Sequence, residues 1–142
     1  MILKIYMYSD GCKKNASSSA ATIMLTDTQF LGVVETRIRS NSSGKAELIG
    51  LCQGLQYLDR RLGIISNQQT TEIIARVDHE SIVNIYNRLL TNPDTTGLAF
   101  SNIWDKIMLL VKGKNITIEH IKGHQIEYNP NKTCDIIASM LL

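Results

Sequence analysis

Short apolar runs that stop at an acidic residue, separated by a long segment of helical period, constrain this chain more than any other feature. Ile2 to Tyr8 is rich in strand formers and gives way to Ser9-Asp10-Gly11, so it reads as a strand that delivers an acid at its tip. Glu72 to Val77 repeats the pattern and ends at Asp78. Between them, Ser42, Ser43 and Gly44 make a helix entry, after which Leu48, Leu51, Cys52, Leu55, Leu58 and Leu62 recur at helical spacing. Two further strands are expected earlier, over Ala20 to Thr26 and Phe30 to Arg39, with turn chemistry at Asp27-Thr28 and a polar loop over Lys13 to Ser19.

Beyond Asp78, His79 to Leu90 carries Ile82, Ile85, Tyr86 and Leu89 on one side and predicts a second helix. Asn92, Pro93, Asp94 and Gly97 break the pattern, and Phe100 to Val111 resumes it. Ile116 to His120 alternates like a strand, and Lys132 to Leu142 closes the chain as a last helix. Strands first, then alternating helices and strands, indicate an α/β chain with a mixed sheet flanked by helices. At 142 residues and 44% hydrophobic composition such a chain buries a real core, and one domain over residues 1–142 is expected.

The bulk charge excludes little. Fifteen Lys and Arg against thirteen Asp and Glu leave a formal charge of +2, so any phosphate-binding surface must be local. The three cysteines, Cys12, Cys52 and Cys134, lack metal-type spacing and leave one over from any disulfide, which fits a reducing, cytoplasmic setting. There is no secretory signal pattern and no apolar run of the roughly eighteen residues that a membrane helix needs, so no membrane partner is expected.

Four carboxylates fall at element boundaries: Asp10, Glu47 near the start of the first helix, Asp78, and Asp135 opening the last helix. Each is flanked by apolar residues, and an unpaired charge in a desolvated place costs several kcal/mol. Any one of them alone is adequately explained as a turn residue or a helix cap. Together they suit a hard divalent cation, Mg2+ or Mn2+, while the lack of His/Cys ligand spacing argues against zinc. The chemistry such a set supports is phosphoryl transfer, with two ions about 4 Å apart serving the attacking and departing oxygens.

The strings Tyr8-Ser9-Asp10-Gly11, Lys45-Ala46-Glu47-Leu48, Val77-Asp78 and Ile121-Lys122-Gly123-His124, followed by Cys134-Asp135, resemble the ordered motifs of type 1 ribonuclease H over nearly the whole chain. The resemblance implies a ribonuclease H-like fold with a five-stranded mixed sheet. It also implies an endonuclease that hydrolyses the RNA strand of RNA/DNA hybrids by two-metal catalysis, leaving 5′-phosphate ends. In that scheme Asp10 bridges both metals, Asp135 completes the site of the ion that activates water, and Glu47 and Asp78 hold the other ion. His124 corresponds to the family's mobile-loop histidine, an auxiliary catalytic residue. Asn15, Ser43 and Lys45 sit where the family holds phosphates and 2′-hydroxyls of the hybrid by shape rather than base sequence, although a turn or cap role serves Asn15 and Ser43 equally well.

Other residues read as structural. Trp104 has apolar neighbours at helical spacing and is expected in the core rather than stacked on a base. The cysteines read as small buried hydrophobes. His79 is expected as a helix-start residue beside Asp78, and His120 as a strand residue packed or hydrogen-bonded at the sheet face.

The chain also departs from the family pattern. Leu89 to Asp105 contains no Lys or Arg, so the basic protrusion that some members use to grip the hybrid is missing, and an additional domain or protein is expected to supply affinity to an otherwise monomeric chain. The loop Cys12 to Ser19 lacks the glycine-rich segment common after the first acid, and His79 stands where a small polar residue is common. Two other readings stay open on the sequence: a resolvase-like DNA nuclease of the same fold, and a non-catalytic hybrid-binding module.

Overall fold

The computed structural model describes residues 3–14, 17–40, 42–61 and 71–121, with the side chains of 12–14, 43 and 61 left aside. Its elements follow in the order β1 (Leu3–Lys14), β2 (Ser17–Leu25), β3 (Phe30–Ile38), α1 (Ser43–Arg61), β4 (Thr71–Val77), α2 (Glu80–Thr91), α3 (Ser101–Val111) and β5 (Ile116–His120). The five strands form one mixed sheet in the order β3-β2-β1-β4-β5. β1, β2 and β3 are an antiparallel meander, whereas β1, β4 and β5 run parallel. This is the expected five-stranded mixed sheet with helices packed on it, and the last helix anticipated over Lys132 to Leu142 lies outside the described residues.

The first strand is longer than the apolar run suggests. It does not end at Asp10 but continues to Lys14, and the polar stretch expected as a loop is largely strand, with β2 starting at Ser17. Antiparallel pairing with β2 carries it on, through Asp10↔Ala21 to Lys14↔Ser17, after the parallel ladder with β4 has stopped at Ser9↔Val77. A ladder on one side is enough to hold polar residues extended, and the apolar pattern does not report it.

Local chemistry accounts for the other boundaries. At the β2–β3 turn the Thr26 hydroxyl accepts hydrogen bonds from the Thr28 and Gln29 amides, and the Thr26 amide donates to the Gln29 carbonyl. Ser42 caps α1: its hydroxyl accepts from the Lys45 amide at 3.1 Å.

α1 lies close against the sheet because its inward stripe is small. A Cβ on Gly50 would come within 2.9 Å of the Ala20 Cβ, and one on Gly54 within 2.8 Å of both Met7 Cε and Thr22 Cγ2. Ala46, Gly50 and Gly54 therefore let the helix settle onto β1 and β2, and Glu47 is carried down with it.

The main core lies on this face, between the sheet and the helices, and includes Ile5, Met7, Leu51, Leu58, Tyr86, Leu89, Trp104 and Ile107. Trp104 is 1% exposed, in keeping with its reading as a core anchor, and Cys52 is buried. The buried Tyr86 hydroxyl donates to the Ile116 carbonyl at 2.8 Å, and burial pushes the phenol up to about 12. The opposite face carries a smaller cluster of Tyr8, Ala21 and Ile23, with Tyr6, Leu25 and Ile121 against it.

Candidate active site

The parallel register brings two of the four acids together. β1 and β4 pair from Leu3↔Thr71 to Ser9↔Val77, so the next step in the same register sets Asp10 beside Asp78. The site thus forms at the carboxyl ends of the parallel strands, next to β1, where the sheet changes from antiparallel to parallel. β5 holds the neighbouring end in place: the Ile121 amide donates to the Val77 carbonyl at 2.8 Å, and the His120 ring nitrogen sits 3.0 Å from the Asp78 carbonyl. Of the two roles expected of His120, packing or hydrogen bonding at the sheet, it takes the second.

Glu47 reaches the same place from α1. Its side chain is fully buried, and its Oε1 accepts a hydrogen bond from the Asp78 amide at 3.0 Å. Beneath it, the Thr22 hydroxyl lies 3.1 Å from the Ser9 hydroxyl, which in turn donates to the Glu47 carbonyl at 3.5 Å. Ser9 and Thr22 are buried polar residues on the α1 side of the sheet and help seat the turn of α1 that carries Glu47. Nothing in the sequence marks them out, because alternation assigns both to the core face without saying which helix residue lies above them.

The other oxygen of Glu47 is the unusual atom of the site. Among the described residues Oε2 is the one buried side-chain oxygen or nitrogen without a hydrogen-bond partner. His79 Nε2 lies 3.2 Å away, within ion-pair reach but outside hydrogen-bond geometry. Burial pushes the Glu47 carboxyl up to about 8; the backbone amides of Asp78 and, more weakly, His79 oppose the rise, and the negative charges of Asp10 and Asp78 add to it. Three acids distant in sequence thus share one electrostatic environment.

His79 stands where it was expected in the fold, and its side chain lies beside Glu47. It is the N-cap of α2, as a helix-start residue should be, yet its side chain makes no capping hydrogen bond. The ring turns instead toward the first turn of α1, where its Cε1 would lie 3.8 Å from a Cβ built on Gly44. A partial signal was present: an imidazole where a small polar residue was expected, directly after an acid.

The remaining candidates divide clearly. Asp10 is buried, and its Oδ1 accepts from the Gly11 amide at 2.9 Å. Asp78 is exposed, which corrects the expectation that every acid of the set is desolvated: it follows the last paired residue of β4 and stands at the rim. Lys45, in the first turn of α1, places its ammonium 5.5 Å from the centre of the Phe100 ring. Asp135, His124 and Asn15 lie outside the described residues, as does the side chain of Ser43.

The donor chemistry fits a divalent cation. Carboxylates that repel one another around an unsatisfied buried oxygen are stabilised by a hard dication more effectively than by any neutral partner. Among the described residues, no three His, Cys, Asp or Glu side chains already stand as a ligand cluster. What is formed in advance is the buried Glu47 oxygen with His79 beside it, and two further carboxylates near enough to act on its charge.

Comparison with known proteins agrees with this fold. A family profile described as RNase H matches residues 3–141. No curated protein matches the chain significantly in sequence. Among solved structures, the fold superposes on prototype foamy virus protease-reverse transcriptase with a TM-score of 0.73 at 16% identity, covering 97% of this chain and 20% of the viral one. LC11-RNase H1, isolated from compost by a metagenomic approach, gives 0.71 at 18% identity, covering 96% of this chain and 94% of that one. RNase H1 from the halophilic archaeon Halobacterium salinarum NRC-1 gives 0.70 at 16% identity, covering 96% and 95%. LC11-RNase H1 has also been crystallised in complex with an RNA/DNA hybrid. The chain spans about a fifth of the viral polypeptide, and at these identities the structural likeness is one of fold.

Proposed function

The chain belongs to the RNase H family, and from that premise we propose that it is a type 1 enzyme: an endonuclease that hydrolyses the RNA strand of RNA/DNA hybrids with two divalent cations, leaving 5′-phosphate ends. The observation that carries this reading is the approach of Asp10, Glu47 and Asp78 at one end of the sheet, with Glu47 buried and one of its oxygens unsatisfied. A purely structural glutamate at that depth would bond both oxygens, since an unmet buried polar group costs about 1–3 kcal/mol.

The chain's own residues divide the work. Asp10, Glu47 and Asp78, joined by Asp135, would hold the cations, Mg2+ or Mn2+. The Asp78 amide fixes the Glu47 carboxylate, and the Ser9–Thr22 pair fixes the helix turn from which it projects. When bound, the cations supply Lewis acidity and the positive charge that offsets carboxylates and phosphodiester. Lys45 on the rim of α1, with Asn15 and Ser43, would meet the backbone of the hybrid, and His124 would serve proton movement or product release. Recognition of a hybrid by its groove shape and 2′-hydroxyls needs little net charge, in keeping with the +2 of this chain. Absence of the basic protrusion and help from a further domain or protein belong to the same reading, as does action as a cytoplasmic monomer.

An end-labelled hybrid tests it, run beside single-stranded RNA, double-stranded RNA and a four-way DNA junction in Mg2+, Mn2+ or EDTA. Metal-dependent cutting of only the hybrid's RNA strand is expected, abolished in Asp10→Asn and Asp78→Asn while both variants remain folded. Retained cleavage in both variants would refute the mechanism. Preferential junction cleavage would replace hybrid hydrolysis by a resolvase activity.

A further inference from the structure

We propose that His79 is a nitrogen ligand of the carboxylate site and biases it toward a transition-metal dication such as Mn2+ over Mg2+. The inference deepens the metal-dependent reading above and rests on it.

Ligands of an octahedral dication lie about 2.1–2.2 Å from the ion, so neighbouring ligand atoms at right angles are roughly 3.0–3.1 Å apart. His79 Nε2 and Glu47 Oε2 are 3.2 Å apart. That spacing is the one two adjacent ligands of a single ion would have, and Oε2 is the buried oxygen without a hydrogen-bond partner among the described residues. His79 caps α2 through its backbone position, and its side chain forms no capping bond. Its side chain is 40% exposed, so it borders both the buried carboxylate and solvent, where a hydrated ion arrives.

Donor chemistry then sets the preference. Oxygen-only sites suit Mg2+, whereas a nitrogen donor raises affinity for the first-row transition dications, least for Mn2+ and increasingly along the series beyond it. The other described histidine is differently placed: His120 has its ring nitrogen at the Asp78 main-chain carbonyl, on β5.

Pulsed electron paramagnetic resonance of the whole protein loaded with one equivalent of Mn2+ reads ligation directly. Nitrogen modulation of a coordinated imidazole is expected in the native chain and in His120→Asn. In His79→Asn the modulation should vanish, with Mn2+ affinity falling about tenfold and Mg2+ affinity, measured by competition, changing less than about twofold. Bound Mn2+ without nitrogen modulation, or modulation that survives in His79→Asn, would overturn the assignment of His79 while leaving the carboxylate site intact. Mn2+ that fails to bind the native chain, or binds Asp10→Asn equally well, would overturn the metal-site reading and this inference with it.

Discussion

Replacing Glu47 by glutamine should make the metal-free protein more stable, by an amount that grows with pH. The native carboxyl is pushed from 4.5 up to about 8, chiefly by burial. Below the unfolded value both states are protonated and no penalty exists. As pH rises from 4.5 to 8 the unfolded chain releases its proton while the native state keeps it, so native stability falls throughout this window and levels off above it. At ~1.4 kcal/mol per pKa unit, the penalty is about 3 kcal/mol at pH 7 and about 5 kcal/mol at pH 9. Glutamine carries no charge and keeps an oxygen for the Asp78 amide, so the variant escapes the penalty. Urea unfolding in EDTA at pH 4, 7 and 9 measures it: the two proteins should nearly coincide at pH 4 and diverge as the pH increases. Saturating Mn2+ should reverse the order, because a cation that binds only the native carboxylate form stabilises that form by mass action. A stability difference that does not change with pH would refute the argument that burial of an ionisable Glu47 is what strains the metal-free site.

Two further outcomes follow from the packing and charge of α1. Gly50→Ala should destabilise the fold by about 1–3 kcal/mol in urea, because its Cβ would meet the backbone-fixed Ala20 Cβ at 2.9 Å; Gly44→Ala, with nothing nearer than 3.8 Å, should be neutral or stabilising by up to about 1 kcal/mol, and equal effects at the two positions would refute the close approach of α1. Lys45→Ala should weaken hybrid binding and reduce the slope of log affinity against log salt by about one, which titration of a labelled hybrid at several salt concentrations would show; an unchanged slope would remove Lys45 from the phosphate contacts.

The sequence alone determined the class of fold and singled out the candidate acids. Strand runs ending in Asp10 and Asp78, and the helical repeat through Leu48, Leu51 and Leu58, are local patterns, and local patterns survive in one dimension because each is set by a period of two or 3.6 residues. The same holds for Trp104, whose apolar neighbours along the helix already place it inward. Tertiary structure decided how those acids differ. Glu47 is buried because Gly50 and Gly54 let α1 sink onto β1 and β2, whereas Asp78 is exposed because it lies one step past the end of β4. The length of β1 beyond Asp10 depends on its pairing with β2, and the approach of His79 to Glu47 depends on two helix starts meeting across the end of the sheet. Burial, register and the charge felt by a carboxyl are set by residues distant in the chain, so they exist only once the strands have paired and the helix has docked.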